Sequence, residues 1–286
     1  MVDTAFRLQL PQRQRSGVVF ASPHSGDCYF DDFLANSVLN DQQIRSSSDA
    51  YVDRLFAVAP KLGAPLLSAV APRAYVDLNR ASDELDSALI LGVPKKGQNP
   101  RVASGLGVIP RVVANGRAIY SGKISRHEAD ERLEKYWTPY HNQLELLMQS
   151  TRSEFGMALL VDCHSMPHEA IGEPVMRNQR KAEIVLGDRF GASASSEVMD
   201  EVEAAFTRAG LSVARNAPFA GAYITQRYGR PSDGQHAIQV EIDRSLYMDE
   251  QKLELHRGFV DLRDALAGVV ADLVSLGEEQ LPFAAE

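Results

Sequence analysis

The chain has 286 residues, 44% of them apolar, which suffices for a large buried core and excludes disorder over most of its length. Thirty Lys and Arg against 38 Asp and Glu leave a net charge of −8 without a basic cluster, which argues against nonspecific nucleic-acid or anionic-membrane binding. No run approaches the roughly 18–20 apolar residues of a membrane span, two cysteines are too few for a disulfide framework, and no signal-peptide pattern opens the chain, so a soluble protein of the reducing cytoplasm is expected.

The run Gly17 to Ser22 is short and β-branched and is stopped by Pro23, which predicts a buried strand delivering His24 to its end. Ser47 or Ser48 can cap a helix from Asp49 to Ala59, with Asp49 in its first turn and Pro60 ending it. Strands are expected over Pro65 to Val70 and Tyr75 to Leu78, the second running into Asn79 and Arg80. Residues 81–122 turn irregular, rich in Gly, Pro and Asn, with a small hairpin expected at Asn115-Gly116; a loop of this length reads as an insertion or an active-site cover. Ser125 to Gln149 has the periodicity of a long helix that Pro139 should kink or divide.

Met157 to Asp162 is apolar until its final Asp and predicts a central strand ending in Cys163-His164-Ser165. A loop rich in Pro and charge follows, then a strand at Ile184 to Leu186, a helix from Ser195 to Ala209 and a strand from Leu211 to Ala214. Alternation over Ala237 to Asp243 puts Ile238, Val240 and Ile242 on one face and Gln239, Glu241 and Asp243 on the other. A closing amphipathic helix is expected from Asp249 to Leu276, then a frayed tail. With no repeat and no linker, residues 1–286 read as a single α/β domain.

Nucleophile-elbow, dinucleotide and Cys-x-x-Cys motifs are absent, and Gly116 to Lys123 has the wrong spacing for a phosphate loop. What stands out is polar clusters at strand ends: SPHSG (Ser22 to Gly26), DLNR (Asp77 to Arg80) and VDCHS (Val161 to Ser165). His24 and His164 with one carboxylate would make a three-ligand zinc site with an open position. Asp49, Asp53 and Asp27 are the acids available, and composition does not choose among them. Asp162, two residues before His164 on the same strand face, can orient its imidazole. Arg80 and Arg244 offer planar forks for a substrate carboxylate, and Glu241 can serve as a general base. Cys163 and His164 point to opposite strand faces, so a thiol–imidazole pair is disfavoured and Cys163 reads as a small core residue.

Taken in order, ASPHSGDCYF, SSSDAYVDRLF, APRAYVDLNR, TPYHNQL, LLVDCHSMP, VLGDRFGASAS, NAPFAGAYITQRYGRP and AIQVEIDRSLYMDE resemble the N-formylglutamate amidohydrolase family, from about Val18 to Glu250. The resemblance implies a three-layer α/β fold like that of zinc carboxypeptidases, with a mixed, mostly parallel sheet between helices. It also implies a zinc-dependent cytoplasmic enzyme that cleaves N-formyl-L-glutamate to formate and L-glutamate, as in histidine catabolism. By motif, His24, Asp49 and His164 match the metal ligands, Asn79 and Arg80 the residues that hold a substrate carboxylate, and Glu241 the general base. Arg244, Tyr223 and Thr225 would complete an acidic-substrate pocket, and Gly221-Ala222 departs from the two glycines the family often shows there. Two other readings stay open: a deacylase or carboxypeptidase-like hydrolase of another acidic substrate, and a metal-free carboxylate-binding protein on the same fold.

Overall fold

The computed structural model describes residues 4–95, 99–172 and 181–279. Its central sheet has seven strands: β1 (Phe6–Gln9), β2 (Val18–Ser22), β3 (Leu66–Ala69), β4 (Ala158–Met166), β5 (Ile184–Gly187), β6 (Val213–Arg215) and β7 (Gln235–Asp243). They run in the order β1-β3-β2-β4-β7-β5-β6. β2, β4 and β7 are parallel neighbours, β5 and β6 are parallel, and β5 meets β7 antiparallel, so the sheet is mixed and mostly parallel. β2, β4 and β7 are buried along their whole length, the condition under which uninterrupted apolar runs such as Ala158 to Val161 form strands. The longer helices are α1 (Arg126–Arg132), α2 (Thr138–Phe155), α3 (Ser196–Arg208), α4 (Tyr223–Tyr228) and α5 (Gly258–Glu279). Among the described residues no helix is long and apolar enough to cross a membrane.

The chain divides into two compact units. One holds residues 1–7, 23–50 and 68–143; the other holds residues 8–22, 51–67 and 144–286. In the second, α5 packs on α3 and on β2, and α4 packs on β4 and β7. Ser195 caps α3 through Val198 N, as its position before the periodic run predicts.

The 126–155 segment, which belongs to the first unit as far as residue 143, is α1, a π turn (Leu133–Trp137), then α2. Pro139 has no N–H for the Lys135 carbonyl, and the π register just before it absorbs that missing bond, so the expected division falls one turn early. Three side chains from this segment donate to one stretch of backbone: Arg132 Nη1 to Tyr75 O (3.2 Å), His141 Nε2 to Leu78 O (2.9 Å) and Trp137 Nε1 to Arg80 O (2.9 Å). The expected strand over Tyr75 to Leu78 is therefore a turn. Tyr75 N and Val76 N fold back onto Pro72 O, and side chains rather than a ladder take its carbonyls.

Arg132 is buried among Phe33, Tyr75 and Tyr120, with its guanidinium carbon 4.0 Å from the Tyr75 ring centroid and Nη1 2.7 Å from Tyr120 Oη. Arg132→Ala leaves the Tyr75 carbonyl and the Tyr120 hydroxyl without their donor and should cost about 2–5 kcal/mol. A lower urea midpoint at unchanged m-value checks this; an unchanged midpoint would refute it.

Three other expectations are corrected. The helix over Asp49 to Ala59 is two separate turns, Val52–Leu55 and Ala59–Leu62, because Tyr51 is left-handed (φ 67°) and breaks the helix before it starts. Asp49 therefore lies in a loop, not in a first helical turn. β4 runs on to Met166, so His164 is inside the strand rather than after it. The last helix begins at Gly258, since the Asp249 carboxylate accepts from Gln251 N and Lys252 N and turns residues 248–255 into a two-stranded hairpin. The hairpin at Asn115-Gly116 is present, with both residues left-handed and Val112 bridging Ala118. The frayed tail after residue 279 and most of the Pro-rich loop (173–180) lie outside the described residues.

Candidate active site

In the first unit His24 follows β2 by two residues in the chain. Gly26 lets this turn pass close to its neighbour, since a Cβ there would sit 2.0 Å from Ala71 O. The His24 carbonyl accepts from Asp49 N (3.0 Å) and from Ser48 Oγ (3.3 Å), which pins the 48–49 loop beside the imidazole. Asp49 Oδ2 then lies 3.4 Å from His24 Nδ1. His24 Nε2 donates to Asp77 Oδ1 at 2.7 Å, which makes Nδ1 the lone-pair nitrogen.

Asp77 also accepts from Arg73 Nε (3.0 Å) and from Asn79 N (2.9 Å). Burial by itself would raise the Asp77 carboxyl, but the charges of Arg73 and Arg80 and the hydrogen bond from His24 outweigh it and hold it well below the usual carboxylate range. Arg80 is buried, with Nε on Leu106 O (3.0 Å) and Nη1 on Asn79 O (2.8 Å). Burial lowers its guanidinium somewhat, against the pull of Asp77. Of the other acids weighed from the sequence, Asp27 is exposed and paired with Arg7 (2.8 Å), and Asp53 sits in the turn Val52–Leu55 of the second unit.

In the second unit β4 and β7 run side by side in register, Asp162 opposite Gln239 and His164 opposite Glu241. Partners in a parallel ladder point to the same face, and period two puts all four side chains on one face. His164 Nε2 lies 3.0 Å from Asp162 Oδ2, a close contact without hydrogen-bond geometry, so the orienting role expected of Asp162 is not a hydrogen bond as Asp77 makes to His24. Gln239 Nε2 donates to Glu241 Oε1 at 2.7 Å, and both side chains are buried. Cys163 projects to the opposite face and donates to Val161 O; burial first and Asp162 second push its thiol well up, which leaves it inert.

Arg244 follows β7, buried, with Nε on Ser165 Oγ (3.1 Å) and Nη2 on Ser165 O (3.3 Å). Tyr223 and Thr225 open α4; the fully buried Thr225 donates to Ala222 O (2.9 Å), and Tyr223 Oη accepts from Arg227 Nη1 (3.2 Å). Among the described residues His24 and Asp49 in the first unit and His164 in the second are buried, and they supply the two imidazoles and one carboxylate that can hold a divalent metal. Neither Asp77 nor Gln239 stands out as a site residue by sequence pattern. Asp77 opens the quoted DLNR and Gln239 shares the Glu241 strand face, and those were their only signals.

An imidazole held by the Asp77 carboxylate with Asp49 beside it, and a second imidazole in register with Glu241 on a mixed α/β sheet, define an enzyme of the amidohydrolase class. The profile of the N-formylglutamate amidohydrolase family matches residues 16–248, and the chain belongs to that family. It is 30% identical to an N-formylglutamate deformylase of Pseudomonas aeruginosa over 268 residues, 92% of this chain and 93% of the relative. It is 28% identical to one of Pseudomonas putida over 239 residues, 82% and 83% of the two chains. The crystal structure of an N-formylglutamate amidohydrolase from Ralstonia eutropha JMP134 superposes with a TM-score of 0.89 at 32% identity, covering 96% of this chain and 98% of that one. A gene product of Agrobacterium tumefaciens shares the fold alone (TM-score 0.65, 16% identity, 96% and 95% covered).

Proposed function

We propose that this chain is a zinc enzyme that hydrolyses N-formyl-L-glutamate to formate and L-glutamate, the closing reaction of a histidine-degradation route. The observation that carries the reading is the in-register pairing of His164 with Glu241, which sets a metal-ligand candidate and a carboxylate base side by side. His24, Asp49 and His164 would hold the ion; two neutral imidazoles and one carboxylate suit Zn²⁺, and Asp77 orients the His24 imidazole. Zn²⁺ in such a set polarises a carbonyl oxygen and brings the pKa of water to about 7.

The protein's own groups do the rest. Glu241 takes the proton of the attacking water and returns it to the amide nitrogen as the C–N bond breaks. Arg80, steadied by Leu106 O and Asn79 O and flanked by Asn79, binds the α-carboxylate. Arg244 and Tyr223 take the side-chain carboxylate, and Thr225 shapes the pocket from beneath Gly221, where a Cβ would meet its hydroxyl at 2.5 Å. On this reading residues 1–286 work as one catalytic domain, with 81–122 as a cover and a fold akin to that of zinc carboxypeptidases.

Purified protein should carry stoichiometric zinc and release formate from N-formyl-L-glutamate much faster than it deacylates N-acetyl-L-glutamate. Chelation should abolish release and added zinc restore it. Comparable rates on both substrates would move the assignment to a general N-acyl deacylase; no turnover with zinc bound would end it.

A further inference from the structure

We propose that Gln239 is a positioning residue for Glu241, a role that rests on the general-base reading given above. Its amide nitrogen donates to Glu241 Oε1 at 2.7 Å, two residues along the same strand face. On the neighbouring strand Asp162, two residues before His164, also lies close to its imidazole at 3.0 Å, but without a hydrogen bond, so the Gln239–Glu241 bond has no counterpart there. In register, Asp162 faces Gln239 and His164 faces Glu241, so Gln239 stands one pleat below the pair of working groups.

Gln239 is itself confined. Its antiparallel partner on β5 is Gly187, and in place of a side chain there the backbone of Phe219 to Gly221 lies over the same face; a Cβ on Gly187 would meet Ala220 C at 2.6 Å and Gly221 N at 2.7 Å. With this wall on one side and β4 on the other, the amide is held to the geometry that meets Glu241. A donor fixed on Oε1 holds the carboxylate in one orientation, from which it takes the proton of the attacking water and returns it to the departing nitrogen. Rotation of the carboxylate about its last torsion, otherwise broad, is removed before substrate arrives.

The test is a double-variant cycle with metal analysis. Gln239→Met, similar in length but without a donor, should lower kcat about 10–100-fold with KM and zinc content near wild type. In a Glu241→Gln background the same change should cost nothing further, because Gln239 acts only through Glu241. Gln239→Glu, which keeps the shape and sets a second carboxylate against the first, should also be slow and serves if the Met variant folds poorly. A readout free of turnover is the side-chain amide NMR signal assigned by its loss in Gln239→Met, which should shift in Glu241→Gln. Wild-type kcat in Gln239→Met, losses that add in the double variant, or an unmoved amide signal would overturn the positioning role alone. Undiminished turnover in Glu241→Gln would instead overturn the general-base reading and this role with it.

Discussion

Glu241→Gln should lower kcat by about 10²–10⁴-fold, the range that a positioned general base contributes, while leaving zinc content and folding at wild-type levels. The substituted amide keeps the size of the carboxylate and can still accept from Gln239 Nε2, so the buried pair survives and only the proton acceptor is lost. His24, Asp49 and His164 are untouched by the change, which is why the metal set should not suffer. Steady-state kinetics alongside metal analysis on the same preparation decide the matter. A kcat indistinguishable from wild type would remove Glu241 from the chemistry, and loss of zinc would reassign it to the metal set.

The second large effect is expected at Arg80. Removing one partner of a desolvated charge pair costs about 2–5 kcal/mol, so Arg80→Ala should reduce kcat/KM by a corresponding factor of about 30 to several thousand. Arg80→Lys should recover only part of this, because an ammonium lacks the planar fork that grips both carboxylate oxygens. The α-amide of N-formyl-L-glutamate supplies the discriminating control. Wild type should discriminate strongly between acid and amide, and Arg80→Ala should not. If the variant still prefers the acid by the wild-type margin, the α-carboxylate is held elsewhere and Arg80 serves the loop through its bonds to Leu106 O and Asn79 O.

What was legible in the sequence follows the range of the interactions involved. His24, His164 and Glu241 announced themselves because each sits at the end of an apolar run or on the polar side of an alternating one, patterns that are local. Asp49 was not legible from pattern: its place is set by the hydrogen bond from its own N–H to the His24 carbonyl, 25 residues away, and the motif resemblance rather than spacing pointed to it. Asp77 and Gln239 went without a role for the same reason, since their importance lies in what they touch.

The misread segments have a common cause as well. Tyr75 to Leu78 has the composition of a strand, but Arg132 and His141 take its carbonyls, and no single-segment rule sees side chains arriving from more than fifty residues later. Asp249, expected inside a helix, spends its carboxylate on Gln251 N and Lys252 N and ends up in a hairpin.

The π turn at Leu133–Trp137 gives this part of the chain a fixed phase. One residue more or less in a helix rotates everything beyond it by about 100°. Arg132 lies before that turn and Trp137 and His141 at or beyond it, yet all three must meet the backbone between Tyr75 and Arg80. Straightening the turn by deleting a residue would improve the helix as a helix and still leave those donors aimed in incompatible directions, with Asp77, Asn79 and Arg80 as the residues set adrift. Length there is thus a tuned quantity, and insertions or deletions should be far less tolerable than changes of side chain.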